Sequence, residues 1–180
     1  MGYENIIRIQ FFKTSFGELL IGSLDERICI CDWRYREKRS TIDKRIQEGL
    51  NAKYVEEETK IVHAAIQQLT EYLKGERKVF DIPIQLVGTT FQQIVWNELL
   101  KIPYGKTETY LTLSRKIKNE KVIRAVASAN GANAISIIVP CHRVIGSRGE
   151  LTGYAGGLTV KRKLLQLESN LQTPGQLQLF

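Results

Sequence analysis

One short segment, Pro140-Cys141-His142-Arg143, places a thiol, an imidazole and a guanidinium at consecutive positions. The thiolate is the reactive form of cysteine, and nearby cationic groups lower the pKa of a thiol. The segment therefore favours a nucleophilic cysteine. Neighbouring side chains in extended chain point to opposite sides, so a bridging water is an alternative to direct contact between Cys141 and His142. A buried cysteine beside a surface histidine is the alternative without chemistry.

The other two cysteines, Cys29 and Cys31, lie in an apolar run. Strand alternation predicts that both lie on one face of a strand and pack in the core. A metal site is the alternative, but a structural zinc usually takes four ligands, and the sequence has two histidines and no second cysteine pair. We therefore expect no metal. His63 lies inside a predicted helix, and we expect it to pack or to face solvent.

The second half of the chain carries the whole net charge of +7. Residues 1–85 hold 14 basic and 14 acidic side chains, whereas residues 86–180 hold 12 basic and 5 acidic ones. A basic half beside a neutral half is typical of a module that binds a polyanion such as nucleic acid. A basic surface kept for solubility is the alternative.

Cysteine usage and hydropathy limit where the protein works. Three cysteines are too few, and odd in number, for a disulfide framework. We therefore expect a reducing compartment, the cytoplasm, or the nucleus if the source is eukaryotic. No stretch approaches the ~18 apolar residues of a membrane span, and no signal peptide is predicted.

A small sheet followed by a helix is predicted for the first half. Apolar runs with short turns between them predict an antiparallel meander of three strands, Ile6–Lys13, Leu19–Leu24 and Arg27–Trp33. Residues 34–55 are strongly charged, and the pattern there fits both helix and loop. Helical spacing of apolar residues predicts a helix over Glu56–Lys74, with three glutamates at its favourable amino end.

The second half is predicted to be mainly helical. Thr90 and Gln93 fit a capping box, which predicts a helix from Thr90 to about Lys101. Further helices are predicted over Leu111–Ile117, over Lys121–Asn130 and, capped by Thr159, over Val160–Ser169. The spacing of the first two is that of a helix-turn-helix, which many helix pairs without a DNA role share. The fold class is therefore α/β, more narrowly α+β.

The helix predicted over Lys121–Asn130 has one arginine, Arg124, followed almost only by small side chains. Small side chains let a helix backbone approach another surface closely. That surface is either a second helix or a narrow nucleic-acid groove, into which Arg124 would reach further. The basic charge of this half favours the groove.

Motifs spread over most of the chain point to one known family. They are PCHRVIG at 140–146, TFQQIVWNELLKIPYG at 90–105, RAVASANGAN at 124–133, YAGG at 154–157, the segment ending at Glu168 and, more loosely, FKTSFGELLIGS. These segments resemble the O6-alkylguanine-DNA alkyltransferases, or methylated-DNA–protein-cysteine methyltransferases. The resemblance covers about residues 8–169. It implies a ribonuclease-H-like α/β domain at 1–87, a DNA-binding and active-site domain at 88–170, and a tail at 171–180.

The resemblance implies a DNA repair protein that flips an O6-alkylguanine out of double-stranded DNA. The protein would move the alkyl group to its own cysteine, once per molecule and without a cofactor, with O4-alkylthymine as an open second substrate. Cys141 would be the acceptor, His142 would take its proton through a water, and Glu168 would hold the imidazole. Asn133 would fix the active-site turn, and Tyr110 would donate a proton or hydrogen bond to the departing guanine.

The resemblance also implies the contacts to DNA and to the base. The second helix of the pair would lie in the minor groove, with one arginine filling the gap left by the flipped base. The residues expected to contact DNA are Arg124, Ala125, Ala127, Ser128 and Tyr110. The residues expected to contact the guanine are Val144, Tyr154, Ala155 and Gly156. A monomer that binds no membrane is expected.

The sequence departs from the family pattern at a few positions. Ala134 stands where many members have proline, and Ala155 replaces a serine found in some members. The zinc ligands that some members carry are absent. A lesion-binding module with an unreactive cysteine is the alternative function. Related proteins bind the same lesions but lack the acceptor cysteine, and the presence of Cys141 indicates that this chain is not one of them. A papain-like hydrolase would need a distant histidine, whereas His142 adjoins the cysteine.

Overall fold

The structure, a computed structural model, describes residues 2–117 and 120–170. Within them the first half forms β1 (Asn5–Thr14), β2 (Gly17–Leu24), β3 (Arg27–Trp33), α1 (Arg39–Gly49), β4 (Ala52–Glu56) and α2 (Lys60–Leu73). The second half forms α3 (Thr90–Leu99), β5 (Glu108–Thr109), α4 (Tyr110–Lys116), α5 (Ile123–Gly131), β6 (Val144–Ile145) and α6 (Leu158–Asn170). Short 3-10 turns precede α5 (Glu120–Val122) and β6 (Cys141–Arg143). The predicted α+β class is confirmed.

A four-stranded sheet with the order β3-β2-β1-β4 forms the first half. β1, β2 and β3 are antiparallel neighbours, as the meander pattern predicted. β4 pairs with β1 in parallel, and α1 leads into it. Residues 34–55, where the sequence fitted both helix and loop, thus contain a helix and a strand. Ile42 and Ile46 pack α1 into the apolar cluster that lines this side of the sheet.

β3 departs from regular alternation at Cys29. The register between β2 and β3 shifts between Gly22 and Ser23, which makes Cys29 the extra residue of a bulge. As a result Cys29 packs in one apolar cluster and Cys31 packs in the other. The prediction that both lie on one face was wrong for this reason. Both are core residues, as expected.

α2 begins at Lys60, four residues after the predicted start at Glu56, so that prediction was wrong. Glu56 pairs with β1 as the last residue of β4. The Thr59 hydroxyl accepts a hydrogen bond from the Val62 N–H and caps the helix. Glu56 therefore belongs to a strand, although its charge predicted a position in the first turn of the helix.

α3 is capped by Thr89, one residue before the predicted cap. The Thr89 hydroxyl accepts from the Gln92 N–H, and the Gln92 side chain accepts from the Thr89 N–H. The predicted box of Thr90 and Gln93 was wrong by one residue. Two threonines and two glutamines adjoin each other, so the sequence pattern fits both registers. The helix ends at Leu99, two residues before the predicted end.

The remaining helices lie close to their predicted positions. α4 and α5 form the predicted pair, but α5 starts at Ile123 rather than Lys121 because the preceding residues form a 3-10 turn. Residues 118 and 119 of the connection and the tail at 171–180 lie outside the described part. α6 begins at Leu158, so Thr159 lies inside the helix and is not its cap. No helix within 2–117 and 120–170 is long and apolar enough to cross a lipid bilayer.

Residues 134–139 attach the second half to the sheet. This segment runs beside β3, where the Cys31 N–H donates to the Ala134 carbonyl at 2.9 Å and the Ser136 N–H donates to the Cys31 carbonyl at 2.6 Å. Ile135, Ile137, Ile138 and Val139 enter a cluster that also contains residues of α2, α3 and α6, whereas Ala134 packs in the other cluster. The two halves therefore share one apolar core.

Side chains of the first half hold the carboxyl end of α5. Arg36 donates to the carbonyls of Gly131 at 2.7 Å and Asn133 at 2.9 Å, and Arg45 donates to the carbonyl between them at 2.9 Å. Arg36 also pairs at 2.7 Å with Asp32, which is fully buried. The last carbonyls of a helix lack helical partners and carry the negative end of its dipole, so guanidinium groups satisfy both needs. α5 is thereby fixed to the sheet.

Replacement of Thr89 by alanine tests the cap of α3. Because Thr89→Ala removes the acceptor of the Gln92 N–H, we expect the free energy of unfolding to fall by about 1 kcal/mol. Thr90→Ala is the matched control, since Thr90 is also exposed but is not the cap. For the control we expect a change below about 0.5 kcal/mol. Urea unfolding of both variants measures the difference, and equal losses would contradict the assignment.

Candidate active site

Cys141 opens a 3-10 turn and is only 3% exposed. Asn133 Nδ2 donates a hydrogen bond to Sγ at 3.2 Å. Burial raises the pKa of Cys141, while the hydrogen bond from Asn133 and the ammonium group of Lys161 oppose that rise. The sequence predicted a thiol pKa lowered by nearby cations, and that prediction was wrong because burial outweighs them. The resting thiol is protonated and needs a base.

The Asn133 amide holds the loop that leads to Cys141. Its Nδ2 also donates to the Val139 carbonyl at 3.0 Å, and its Oδ1 accepts from the Ile135 N–H at 2.9 Å. Ala134, which stands where many members of the resembled family have proline, is buried, and its carbonyl accepts a hydrogen bond from β3. Hydrogen bonds therefore fix this loop in the place of a proline ring.

The Glu168 carboxylate on α6 accepts hydrogen bonds from several segments. His142 Nε2 lies 2.9 Å from Oε1, and the Arg143 guanidinium donates to both oxygens at 2.9 Å. The Tyr72 hydroxyl donates to Oε1 at 2.6 Å, and the Gly105 N–H donates to Oε2 at 3.1 Å. Burial alone would raise the pKa of Glu168, but the bonds from His142 and Arg143 outweigh it and lower the pKa. The carboxylate is therefore charged at neutral pH.

His142 is fully buried, and this burial lowers the pKa of its imidazole despite the charge of Glu168. The ring is therefore neutral at neutral pH. Because Nε2 faces the carboxylate, we assign the proton to Nε2, which leaves Nδ1 as the basic nitrogen. Nδ1 is buried and has no hydrogen-bond partner among the described residues. A 3-10 turn, rather than extended chain, sets the directions of Cys141 and His142.

Lys161 is a residue of this site that the sequence did not reveal. It is fully buried on α6, and its ammonium group donates to the carbonyls of Val144 at 2.6 Å and Thr152 at 2.7 Å. Burial lowers the pKa of Lys161 to about 8. Lys161 lies three residues before Leu164 and seven before Glu168, a spacing that places all three on one helix face. That spacing is the signal that would have identified it.

An open cleft of about 970 Å³ lies beside this network. Tyr110 of α4, Ala127 of α5 and residues 152–158 line one side of it, and residues of the first half that include Trp33 and Arg36 line the other. The predicted guanine contacts that line the cleft are Tyr154, Ala155 and Gly156. Both halves of the chain therefore form its walls.

Trp33 on β3 fixes the loop that lines the cleft. Its Nε1 donates to the Tyr154 hydroxyl at 3.1 Å, and the Tyr154 ring meets the His142 ring edge-on with 6.4 Å between centroids. Gly156 packs so closely on the Trp33 ring that a Cβ atom there would lie 2.8 Å away. Position 156 therefore has no room for a side chain.

Of two other predicted site residues, Tyr110 lines the cleft and Val144 does not. The Tyr110 hydroxyl accepts a hydrogen bond from Thr152 Oγ1 at 3.2 Å, and burial raises its pKa, so the phenol keeps its proton. Val144 lies fully buried and does not line the cleft. Its N–H donates to the Cys141 carbonyl and its own carbonyl accepts from Lys161, which leaves one carbonyl lone pair for a base.

The outer face of α5 presents small side chains and one arginine. Arg124, Ala125 and Ser128 are exposed, whereas Val126 and Ala129 are buried against α3 and α4. Arg124 makes no hydrogen bond or ion pair to the part of the chain that the structure describes. The helix therefore offers a shallow surface from which one long cation projects next to the cleft.

Fold and site together place the chain among cysteine-dependent alkyltransferases that carry a helix-turn-helix. The profile of the 6-O-methylguanine DNA methyltransferase DNA binding domain matches residues 90–170, and that of the ribonuclease-like domain of the same protein matches residues 7–86. The chain belongs to the 6-O-methylguanine DNA methyltransferase family. The family and the alkyl-transfer activity expected from the resemblance are confirmed.

Individual relatives agree with this assignment. A methylated-DNA–protein-cysteine methyltransferase of Methanosarcina acetivorans is 41% identical over 88% of this chain and 96% of its own length. The constitutive enzyme of that name from Bacillus subtilis is 40% identical over 87% of this chain and 92% of its own. The crystal structure of Mycobacterium tuberculosis OGT in complex with DNA superposes with a TM-score of 0.77 at 36% identity, covering 92% of this chain and 93% of that one.

No group of three or more histidine, cysteine, aspartate or glutamate side chains within 2–117 and 120–170 is placed to bind a metal ion. Cys29 and Cys31 are both buried in apolar clusters. Burial raises the pKa of Cys29 to about 12 and raises that of Cys31 further. Neither thiol has a histidine next to it in the sequence, as Cys141 has.

Glu168→Gln tests the charge balance of the buried network. The variant keeps the size of the side chain but leaves the Arg143 guanidinium buried without an anionic partner, so we expect a loss of roughly 3–5 kcal/mol at neutral pH. The carboxyl pKa is lower in the folded than in the unfolded protein, so its stabilisation is present above the ordinary value of 4.5 and is lost as the pH falls below it.

The measurement is the free energy of unfolding of wild type and variant as a function of pH. The difference between the two proteins should shrink as the pH falls from about 5 to about 2, the pKa of Glu168 in the folded protein. A difference that does not depend on pH in this range would contradict the lowered pKa of Glu168.

Proposed function

We propose that the chain repairs O6-alkylguanine in double-stranded DNA by transferring the alkyl group to Cys141 Sγ. The observation that carries this proposal is the buried series of Cys141, His142 and Glu168. The series lies behind the Tyr154 wall of the cleft, which Ala127 of α5 also lines. The His142 Nδ1 lone pair takes the thiol proton through a water, and the charged Glu168 stabilises the imidazolium that forms. Without that proton transfer the buried thiol would stay unreactive.

The transfer is a single displacement at the alkyl carbon. The thiolate sulfur forms a bond to that carbon, the bond from the carbon to guanine O6 breaks, and the electron pair of the broken bond goes to the guanine. The Tyr110 hydroxyl, which keeps its proton, donates to the departing base. Asn133 holds the loop in register while the sulfur changes its charge. The product is a thioether with no easy leaving path, so each molecule acts once and needs no cofactor.

The outer face of α5 enters the minor groove in the proposed complex. Arg124 fills the space left by the flipped nucleotide, since a planar, permanently charged guanidinium can stack and form hydrogen bonds there. The small side chains of Ala125, Ala127 and Ser128 allow the helix backbone to approach the groove. The excess positive charge of the second half binds the phosphates, and the protein acts as a monomer.

The flipped base lies in the cleft against Tyr154, Ala155 and Gly156, with the Val144 carbonyl at its inner edge. Ala155 has no hydroxyl, so one contact to O6 that a serine would make is missing. O4-alkylthymine is proposed as a second, smaller substrate. The division into domains at 1–87 and 88–170 is proposed on the sequence motifs. The free thiol of Cys141 suits a reducing compartment, the cytoplasm, or the nucleus in a eukaryote.

Intact-mass measurement tests the proposed acceptor. Incubation with a duplex that contains one O6-methylguanine should add one methyl group per protein molecule, with one lesion consumed for each. Cys141→Ala should bind the same duplex and gain no mass, because the thiols of Cys29 and Cys31 have strongly raised pKa values. Methyl transfer that persists in this variant would contradict the assignment. Lesion binding without any transfer by wild type would instead support the binding module.

Arg124→Ala tests the groove-filling role. Extruding a base costs a few kcal/mol, so we expect the variant to repair duplex DNA at least ~10-fold more slowly, about 1.4 kcal/mol. Free O6-benzylguanine needs no flipping, and its reaction with Cys141 should change less than ~3-fold. Single-turnover rates on both substrates give the comparison.

Arg27→Ala is the matched control for Arg124→Ala, because Arg27 is an exposed arginine at the turn between β2 and β3. It should leave both rates unchanged. Equal losses on duplex and free base in Arg124→Ala would mean that this residue supports the fold or the pocket and does not hold the flipped state.

A further inference from the structure

Tyr72 on α2 is, within the described residues, the one donor to Glu168 that comes from the first half of the chain. The side chain is fully buried and does not line the cleft. Its hydroxyl contacts Glu168 and His142 instead. Its ring packs at 5.4 Å from Phe80 and at 6.0 Å from Tyr104, measured between centroids, which fixes the direction of the hydroxyl.

The Tyr72 hydroxyl and the His142 imidazole meet at the same carboxylate oxygen. Tyr72 Oη lies 2.6 Å from Glu168 Oε1 and 3.4 Å from His142 Nε2, and Nε2 lies 2.9 Å from Oε1. A hydrogen bond donated to a carboxylate stabilises its charge and weakens the attraction of that charge for another partner. The two donors therefore share one oxygen, to which Arg143 Nη2 also donates at 2.9 Å.

We propose that Tyr72 is a positioning residue of the alkyl transfer, whose hydroxyl shares Glu168 Oε1 with His142 and limits how strongly the carboxylate holds the imidazole. The inference rests on the proposed role of His142 as the base. Arg143 and Gly105 still hold the carboxylate when the Tyr72 hydroxyl is removed. The loss of the hydroxyl should therefore change the basicity of His142 more than the position of Glu168.

Other titratable groups also face His142 and Glu168. They are Cys141 and Arg143 on the same turn, Lys161 on α6, Tyr104 after α3 and Tyr154 in the cleft loop. All of them remain in Tyr72→Phe, which removes a single oxygen atom. A change in the titration of His142 in this variant therefore reports on the hydroxyl.

The pH dependence of the reaction with free O6-benzylguanine tests the inference. In Tyr72→Phe the carboxylate attracts the imidazolium more strongly, so protonation of His142 should suppress the reaction at a higher pH than in wild type. We expect the acid limb of the rate profile to move up by about half a pH unit or more, with the plateau rate changed less than ~3-fold. A uniform loss of rate at every pH, or an acid limb that does not move, would overturn the inference.

Tyr54→Phe is the matched control. Tyr54 is a half-buried tyrosine of the first half, and its hydroxyl likewise donates to a carboxylate, that of Asp43, at 3.1 Å. It packs in the other apolar cluster, away from the site. The control should lose a similar hydrogen bond and leave the acid limb unchanged.

Nitrogen NMR of labelled histidine gives a readout that does not depend on alkyl transfer. The chain has two histidines, and His63, with 53% of its side chain exposed, serves as the internal reference. In Tyr72→Phe the titration of His142 should move to higher pH, and the His63 resonances should be the same in both proteins. If wild type shows no acid limb at all, the proposed base is wrong. If wild type shows an acid limb but Tyr72→Phe shifts neither that limb nor the His142 titration, only the proposed role of Tyr72 is wrong.

Discussion

The site depends on one charged carboxylate that is held inside the protein. An uncompensated buried charge costs several kcal/mol, so Glu168 is stable only where enough donors reach it. Those donors come from α2, from the turn at Gly105 and from the 3-10 turn after Cys141, while Glu168 itself lies on α6. The network forms only when all of these segments have assembled. His142 is therefore neutral and correctly oriented only when the whole chain has folded.

The neutral half of the chain takes part in the site although its composition suggests no chemistry. Arg36 binds carbonyls at the end of α5 and in the active-site loop, and Trp33 supports the wall of the cleft. Tyr72 reaches the central carboxylate. Charge alone separates a DNA-binding half from a supporting half, but the contacts do not divide in that way. The first half sets the shape of the cleft and the environment of the His142 imidazole.

The Cys-His pair could be singled out by residue type, and the family resemblance added Asn133 and Glu168. The structure places Asn133 in contact with Cys141 and Glu168 in contact with His142. The errors concern local geometry. Thr89 and Thr90 are equally good caps by sequence, and in the structure Thr89 is the cap. The charged segment at 34–55 concealed β4, because its pairing with β1 is a long-range contact that leaves little periodic signal.

Burial was the property that sequence patterns described least well. The thiol of Cys141 was expected to be activated by neighbouring cations, but the apolar surroundings that raise its pKa come from distant parts of the chain. Lys161 was missed because lysine is ordinarily a surface residue. The sequence shows that Lys161 lies on a buried face of α6 only if Glu168, on the same face, is known to be buried. In each case the missing information was what packs around the residue.

The carboxyl end of α5 is bonded to two arginines of the first half, and its backbone continues into a loop that is bonded to β3. A helix held in this way has little freedom to tilt or shift against the body of the protein. In the proposed complex the DNA must therefore supply the deformation that lets the groove and the helix fit. Duplexes that bend and unstack easily would pay less for that deformation, so the stiffness of the surrounding sequence would influence which lesions are repaired first.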